Sequence, residues 1–267
     1  MHDSALPLKG RRALVLASSQ GLGRACAQAF AQQGAAVVVN SSSQARCEAT
    51  ARDIAAATGA TVVGLAADLF QPADMDRLHA QAVQALGGPP DILLLNHPGP
   101  ALSPTAVVDF AQLDGHHRLM VASPVRLTML ALPAMRQQRF GRILAVSGRG
   151  AVEPLPNKAL DNLYRPALMA YCKSLSNEVA ADGVTVNVLM PGTYLTERVQ
   201  ASTASNAALW GISVEEAMRR RLAGIPAGRF GQLEEFGAMA AFLASDAAAY
   251  VNGSVLRVDG GQIPGTL

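Results

Sequence analysis

The chain has 267 residues, half of them hydrophobic, and 22 Lys and Arg against 20 Asp and Glu give a formal net charge of +2. Such a length suits one large α/β domain with a well-buried core. A near-balanced 16% of charged residues supplies neither the basic field that attracts nucleic acid nor an acidic tail, so a small polar metabolite or another protein is the expected partner.

Met1 to Gly10 lacks the basic start and apolar run of a secretory leader, and no apolar run reaches the roughly 18 residues of a membrane span. The expectation is a cytoplasmic protein with no membrane or nucleic-acid partner. Along the chain, short β-branched runs alternate with alanine-rich amphipathic stretches, the pattern of successive βαβ units. Strands are expected at Ala13–Leu16, Ala36–Val39, Thr61–Leu65, Ile92–Leu95, Arg142–Val146, Val184–Leu189 and Val255–Val258, with helices between them. The unbroken run Ile92-Leu93-Leu94-Leu95 marks a strand covered on both faces, as in the centre of a doubly wound parallel sheet. Cys26, Cys47 and Cys172 fall in helical stretches without metal-ligand or C-x-x-C spacing, and read as packing thiols of a reducing compartment; no metal site is expected. After a Pro-Gly break, the irregular stretch Thr196–Ile225, with Trp210 and Arg219-Arg220-Arg221, reads as a helical flap over the sheet's carboxyl edge within a single domain spanning 1–267.

Ligands of open α/β sheets settle beyond the carboxyl ends of the strands, where the winding reverses. The loop after the first strand, Ala17-Ser18-Ser19-Gln20-Gly21-Leu22-Gly23-Arg24, opens a helix whose N–H groups could face a pyrophosphate. Two glycines and small side chains would equally serve close packing of strand and helix.

Several stretches together resemble the short-chain dehydrogenase/reductase family over about Gly10 to Gly261. They are Ala13-Leu14-Val15 leading into Gly21-Leu22-Gly23, Ala67-Asp68-Leu69, Asp91-Ile92-Leu93, Gly141-Arg142-Ile143, Val186-Asn187 with Pro191-Gly192, Gly228-Arg229-Phe230-Gly231, Phe242-Leu243-Ala244-Ser245-Asp246 and Val258-Asp259-Gly260-Gly261. The oxoacyl reductase-like members are the most similar in appearance. The resemblance implies a Rossmann-type sheet of seven strands, assembly into tetramers and a nicotinamide cofactor, NAD or NADP. It places that cofactor against Ser19, Gln20, Gly21, Leu22, Gly23, Asp68, Leu69, Asn96, Pro191, Gly192 and Thr196. Asp68 would bond the adenine amino group or, alternatively, cap its own turn.

Against the family pattern the chain departs at the chemistry. Leu16 and Ala17 replace the Thr-Gly that opens the phosphate loop, His97-Pro98 follows Asn96 where Asn-Ala-Gly is expected, and Asn40-Ser41-Ser42-Ser43 offers neither a carboxylate for a ribose 2′-hydroxyl nor an arginine for a 2′-phosphate. On that ground cofactor binding is open to loss. The family's catalytic asparagine, serine, tyrosine and lysine fall on Met120, Gly148, Asp161 and Arg165. Asp161 is too short and too acidic to protonate a reducible oxygen, and stands one helical turn from Arg165, spaced to pair with it. Pro166 should delay or kink that helix, and Pro124 should disturb the one before it. No Tyr-x-x-x-Lys arises at Tyr164 or Tyr171 in any register.

Of the remaining polar groups, Lys158 reads as a solvated side chain, Ser147 as a hydroxyl bonded to backbone, His97 as a loop histidine beside the cofactor region, and His116 and His117 as a surface pair at a helix start. The leading expectation is therefore a non-catalytic subunit that pairs with an active paralogue in a homo- or hetero-tetramer. Two other expectations stand beside it: an oxidoreductase working through His97, Ser147 or Lys158 on a hydroxyacyl or ketone substrate, and a sensor of the nicotinamide cofactor.

Overall fold

In the computed structural model, which describes residues 6–266, all seven expected strands form, their ends displaced by one or two residues at most. The first five residues of the amino-terminal segment lie outside the described residues. β1 (Arg12–Val15), β2 (Ala36–Ser41), β3 (Val62–Ala66), β4 (Ile92–Leu95), β5 (Gly141–Val146), β6 (Val184–Pro191) and β7 (Val255–Val258) make one parallel sheet in the order β3-β2-β1-β4-β5-β6-β7. The chain winds outward in one direction from β1 and in the other from β4, so the crevice between these two neighbours is the switch point of a Rossmann-type fold.

Alternation along each strand distributes the core over both faces. From β4, Ile92 and Leu94 pack with Phe30, Phe236 and Leu243 on one side, while Leu93 and Leu95 pack with Met75, Leu78, Leu127 and Leu168 on the other. All four β4 side chains are fully buried, as their uninterrupted hydrophobicity requires. The first face is covered by α1 (Gly21–Gln32), α2 (Gln44–Thr58) and α9 (Leu233–Ala244). The second is covered by α3 (Asp74–Leu86), α5 (Ser123–Gln137) and α6 (Ala159–Val179). Cys26, Cys47 and Cys172 are free and buried, and desolvation pushes the thiols of Cys26 and Cys172 well up, which keeps them neutral. Among the described residues no helix is long and apolar enough to cross a membrane.

Three local expectations are corrected. Pro166 neither delays nor ends its helix: α6 runs unbroken through it. One backbone bond, to the Asn162 carbonyl, is forfeited, but the same turn is held from its side chains. Arg165 Nε donates to Asp161 Oδ1 at 2.5 Å, and the Asn162 amide both accepts from Leu155 N–H and donates to Leu155 O. Pro124 is accommodated because the helix changes gauge before it. After α4 (Phe110–His117) comes a π turn over Arg118–Ala122, in which Ser123 N–H reaches back to Arg118 O, and Pro124 follows as the second residue of α5, where the wider turn gives its ring room. His116 and His117 close α4 instead of opening a helix; the reading failed because the π turn continues the chain without a glycine stop.

At the sheet's amino edge, Asp91 is 2% exposed and collects four hydrogen bonds, from Arg12 N, Nε and Nη2 and from Gln138 Nε2, at 2.8–3.0 Å. It ties the start of β1 to the turn before β5. Asp91→Ala is expected to cost about 3 kcal/mol of stability, since it strands these donors. Denaturant unfolding measures this, and cofactor affinity of the folded fraction should be unchanged because the loop after β1 and the start of α1 lie at the opposite edge.

Candidate active-site cleft

A cleft opens at the carboxyl edge, over the switch point, and continues as a groove beside α1 toward residues 6–11, about 1990 Å³ in all. Its first half is built around the loop after β1. Ser18 Oγ donates to Val15 O at 2.7 Å and accepts from Asn40 N–H at 2.9 Å, Asn40 Oδ1 accepts from Ala17 N–H at 3.3 Å, and Asn96 Nδ2 donates to Ala17 O at 3.1 Å. Side chains from β2 and from the end of β4 thus clamp this loop from both sides. Gly21 sits at φ +57°, and a Cβ at Gly23 would come within 2.4 Å of Ala17 O and 2.8 Å of Asn96 Nδ2. Gly21 is favoured by its left-handed backbone, and Gly23 is required by the close approach of α1 to the loop. Ser19, Gln20, Gly21 and Leu22 line the cleft, and Gln20, the residue before α1, makes no side-chain cap. The free N–H groups of the first helical turn therefore open where an anion can sit. That geometry fits the pyrophosphate of a dinucleotide.

Around this half, Asp68, Leu69 and Asn96 border the cleft on one side and Pro191, Gly192 and Thr196 on the other. Asp68 Oδ1 accepts from Phe70 N–H at 3.0 Å, so of its two expected roles the turn cap is occupied. Thr196 caps α7 (Glu197–Trp210) through Val199 N–H. Gly23 lies behind the loop, outside the lining. At the end of β2, Asn40 is wholly buried and structural, but Ser41, Ser42 and Arg46 border the cleft. The sequence reading, which stopped at Ser43, missed Arg46. The signal was the helix register: Ser43 caps Arg46 N–H, so α2 carries Arg46 one turn past the strand end.

The second half holds the altered family slots. Met120 is buried beneath the floor, in the π turn, whereas Gly148, Asp161 and Arg165 border the cleft itself. The expected pair forms, and it lays the Arg165 guanidinium over Gly148, where a Cβ would meet it in ordinary contact at 3.4 Å. Lys158 is not a solvated side chain. Its backbone is fixed by a bridge to Ser103, with Ser103 N–H donating to Asn157 O and Ala159 N–H to Ser103 O, and by Asn157 at φ +54°. Its Nζ lies 3.7 Å from Asp161 Oδ2. Burial pushes the Lys158 ammonium down, Asp161 opposes this, and Arg198, Arg165 and Arg221 add to it.

His97 and Ser147 also depart from expectation. His97 is 7% exposed, and its pKa is held well below the usual value, first by burial and then by Arg165, Arg198 and His116; it is a neutral imidazole near pH 7 and carries no spare proton. Ser147, expected to bond backbone, leaves its buried Oγ without a partner, as does His97 Nδ1. Tyr164 is spent structurally, donating to Leu113 O at 2.8 Å. Over this half lie α7 and α8 (Val214–Ala223), which bring Arg198 and Arg221 to the cleft. Trp210 is half-exposed and outside the lining, and Arg219 and Arg220 pair with Glu216.

Residues 16–262 match the family model described as Enoyl-(Acyl carrier protein) reductase. The chain is 34% identical over 96% of its length to the D-beta-hydroxybutyrate dehydrogenase of Cupriavidus necator, covering 99% of that protein. It is 32% identical to the 3-oxoacyl-[acyl-carrier-protein] reductase FabG of Escherichia coli, over 95% of this chain and 98% of that one. Among solved structures, the L-sorbose reductase of Gluconobacter frateurii, complexed with NADPH and L-sorbose, superposes with a TM-score of 0.91 at 28% identity, over 98% of this chain and 99% of the other. These findings overturn the expectation of a non-catalytic subunit serving an active paralogue. The relatives matched almost end to end are a dehydrogenase and reductases, and the altered slots surround an open, charged cleft.

Ala17 stands at φ +45°, a left-handed conformation that costs an L residue about 1 kcal/mol or more. Ala17→Gly is expected to raise stability by about 1 kcal/mol, a rise of about 2 °C in Tm for a chain of this size, read by thermal unfolding. A loss of stability would mean that the loop is not held as described.

Proposed function

The chain belongs to the short-chain dehydrogenase/reductase family, and we propose that it is an NAD(P)-dependent oxidoreductase interconverting a carbonyl group and an alcohol, with Lys158 as its proton-transferring residue. The observation that carries this reading is the placement of Lys158 Nζ: beside Asp161, within the field of three arginines, on backbone fixed by Ser103. When bound, the nicotinamide cofactor supplies or accepts the hydride. The first-turn amides of α1, with Ser19 and Gln20, hold its pyrophosphate.

In the reductive direction the Lys158 ammonium gives a proton from Nζ to the substrate oxygen, and the carbonyl carbon takes the hydride, so that an alcohol and a neutral amine result. Oxidation reverses both transfers. A lysine whose ammonium is destabilised gives up its proton more readily than an ordinary one, and the general acid is best matched when its pKa approaches the working pH. Arg165, fixed over Gly148 by Asp161, contributes a permanent positive charge toward an oxygen that becomes negative during reduction. Ser147 Oγ and His97 Nδ1, closed to solvent and without partners among the described residues, lie beneath this end of the cleft.

The cofactor favoured by the β2 end is NADP. Ser42 and Arg46 border the cleft there, where no carboxylate stands to repel a 2′-phosphate. Among the structural relatives, the YwfH protein is described as an NADPH dependent reductase. Arg46→Ala is expected to raise KM for NADPH about tenfold while leaving that for NADH nearly unchanged. Equal effects on both would remove Arg46 from the site.

Purified protein should oxidise NADPH in the presence of a carbonyl substrate. Lys158→Ala should lower kcat by about 10²–10⁴ with cofactor affinity retained. Because reduction requires the ammonium and the Lys158 pKa is lowered, the reductive rate should fall as pH rises through a limb below the ordinary lysine value, while alcohol oxidation should rise through it. A Lys158→Ala enzyme with unchanged kcat and pH profile sinks the assignment. Tight NADPH binding with no turnover would instead leave a cofactor sensor.

A further inference from the structure

The cationic end of the cleft carries more positive charge than proton transfer requires. Lys158, Arg165, Arg198 and Arg221 converge there, and the carboxylate that acts among them is Asp161, already bonded to Arg165. Arg198, from the first turn of α7, donates to the carbonyls of Pro98 and Pro100, neutral acceptors that aim the guanidinium without cancelling its charge. It stays solvent-accessible, and crowding and the Arg165 charge both press on it. Arg221, near the end of α8, reaches only the neutral Ser202 Oγ, at 3.4 Å. Glu197 also borders the cleft, at the start of α7, where a carboxylate complements the helix N-terminus.

Neighbouring arginines behave differently. Arg149, itself at the cleft border, is matched by Glu153, Arg219 and Arg220 by Glu216, and Arg229 by Glu235. Pairing with a carboxylate is thus the local habit, and the arginines turned into the cleft from α7 and α8 depart from it. Beneath the same lining, His97 Nδ1 and Ser147 Oγ are closed to solvent and have no hydrogen-bond partner among the described residues, so they neither add to nor cancel the charge of the cluster.

We infer that the substrate is an anion, an oxo or hydroxy compound bearing a carboxylate or a phosphate, whose acid group is held by Arg198 and Arg221 while its reacting oxygen lies toward Lys158. The inference rests on the oxidoreductase reading above for the reacting oxygen, and on the cation cluster alone for the acid group. Guanidinium groups suit this role because their planar N–H edges take carboxylate or phosphate oxygens in pairs. The repulsion among the cluster's cations falls when the anion arrives.

Two measurements on the whole protein test it. In steady state with NADPH, 2-oxobutanoate and 3-oxobutanoate are compared with their methyl esters, and dihydroxyacetone phosphate with dihydroxyacetone. At least one acid should exceed its neutral counterpart about tenfold or more in kcat/KM, and the preferred series tells carboxylate from phosphate. Arg198→Gln, and separately Arg221→Gln, should raise KM for that acid about tenfold and KM for the neutral compound far less, while any change in kcat from losing a charge near Lys158 is shared by both compounds. Independently of turnover, calorimetric titration of the NADP-loaded protein with oxamate and with inorganic phosphate should show binding that either substitution weakens about tenfold. Equal handling of acids and neutral analogues, or anion binding indifferent to both substitutions, overturns the inference. Arginine-dependent anion binding without any turnover sustains it and sinks the reductase reading. Brisk reduction of neutral ketones with no preference for acids does the reverse.

Discussion

Asp161 and Arg165 sit one helical turn apart with side chains only 6% and 11% exposed, and removing two such charges from water is tolerable only because Nε and Oδ1 meet at 2.5 Å. Much of the carboxyl edge follows from that pair. It closes the turn in which Pro166 costs α6 a backbone bond. It lays a guanidinium over Gly148, and it leaves Asp161 Oδ2 turned to Lys158. An aspartate that looks like a damaged acid in the linear sequence is, in space, the counter-ion that organises a cationic site.

The two halves of the cleft use different physics. The half built around the loop after β1 relies on backbone: a loop clamped by Asn40 and Asn96, a glycine where a Cβ would collide, and helix N–H groups facing outward. Such a half tolerates Ala17 in place of glycine at the cost of strain, because the N–H groups it presents do not depend on that side chain. The other half relies on side-chain charge, brought from α6, α7 and α8 and from the loop before α6. There, changing the residues changes the chemistry while the framework stays the same, which is how family membership coexists with an unfamiliar set of groups at the reacting end.

Lys158 shows why placement outranks residue type. A lysine just before a helix would ordinarily be solvated, and the sequence gives it no mark. Its bridge to Ser103 and the left-handed Asn157 fix the backbone, so that the side chain lies among Asp161, Arg165, Arg198 and Arg221 instead of pointing to water. His97 follows the opposite course: adjacent to the cofactor region and a natural proton carrier by residue type, it is too deeply buried and too close to arginines to hold a proton near neutrality.

What the chain's linear pattern determined is the frame. The short β-branched runs alternating with alanine-rich stretches pointed to seven strands with helices between them, and the unbroken apolar run in β4 marked a strand covered on both faces, because both of its faces must then be apolar. The spacing of Asp161 and Arg165 likewise foretold their pairing, a contact within one helical turn. Only the tertiary structure decided the rest. Arg46, Arg198 and Arg221 enter the cleft through helix register and through elements distant in sequence, and Ser147 loses its partner because of what surrounds it in space. Proline effects at 124 and 166 were absorbed by a π turn and by side-chain bonds. Charge, burial and orphaned polar atoms are sums over neighbours that only the folded chain brings together, and those sums set the chemistry of this cleft.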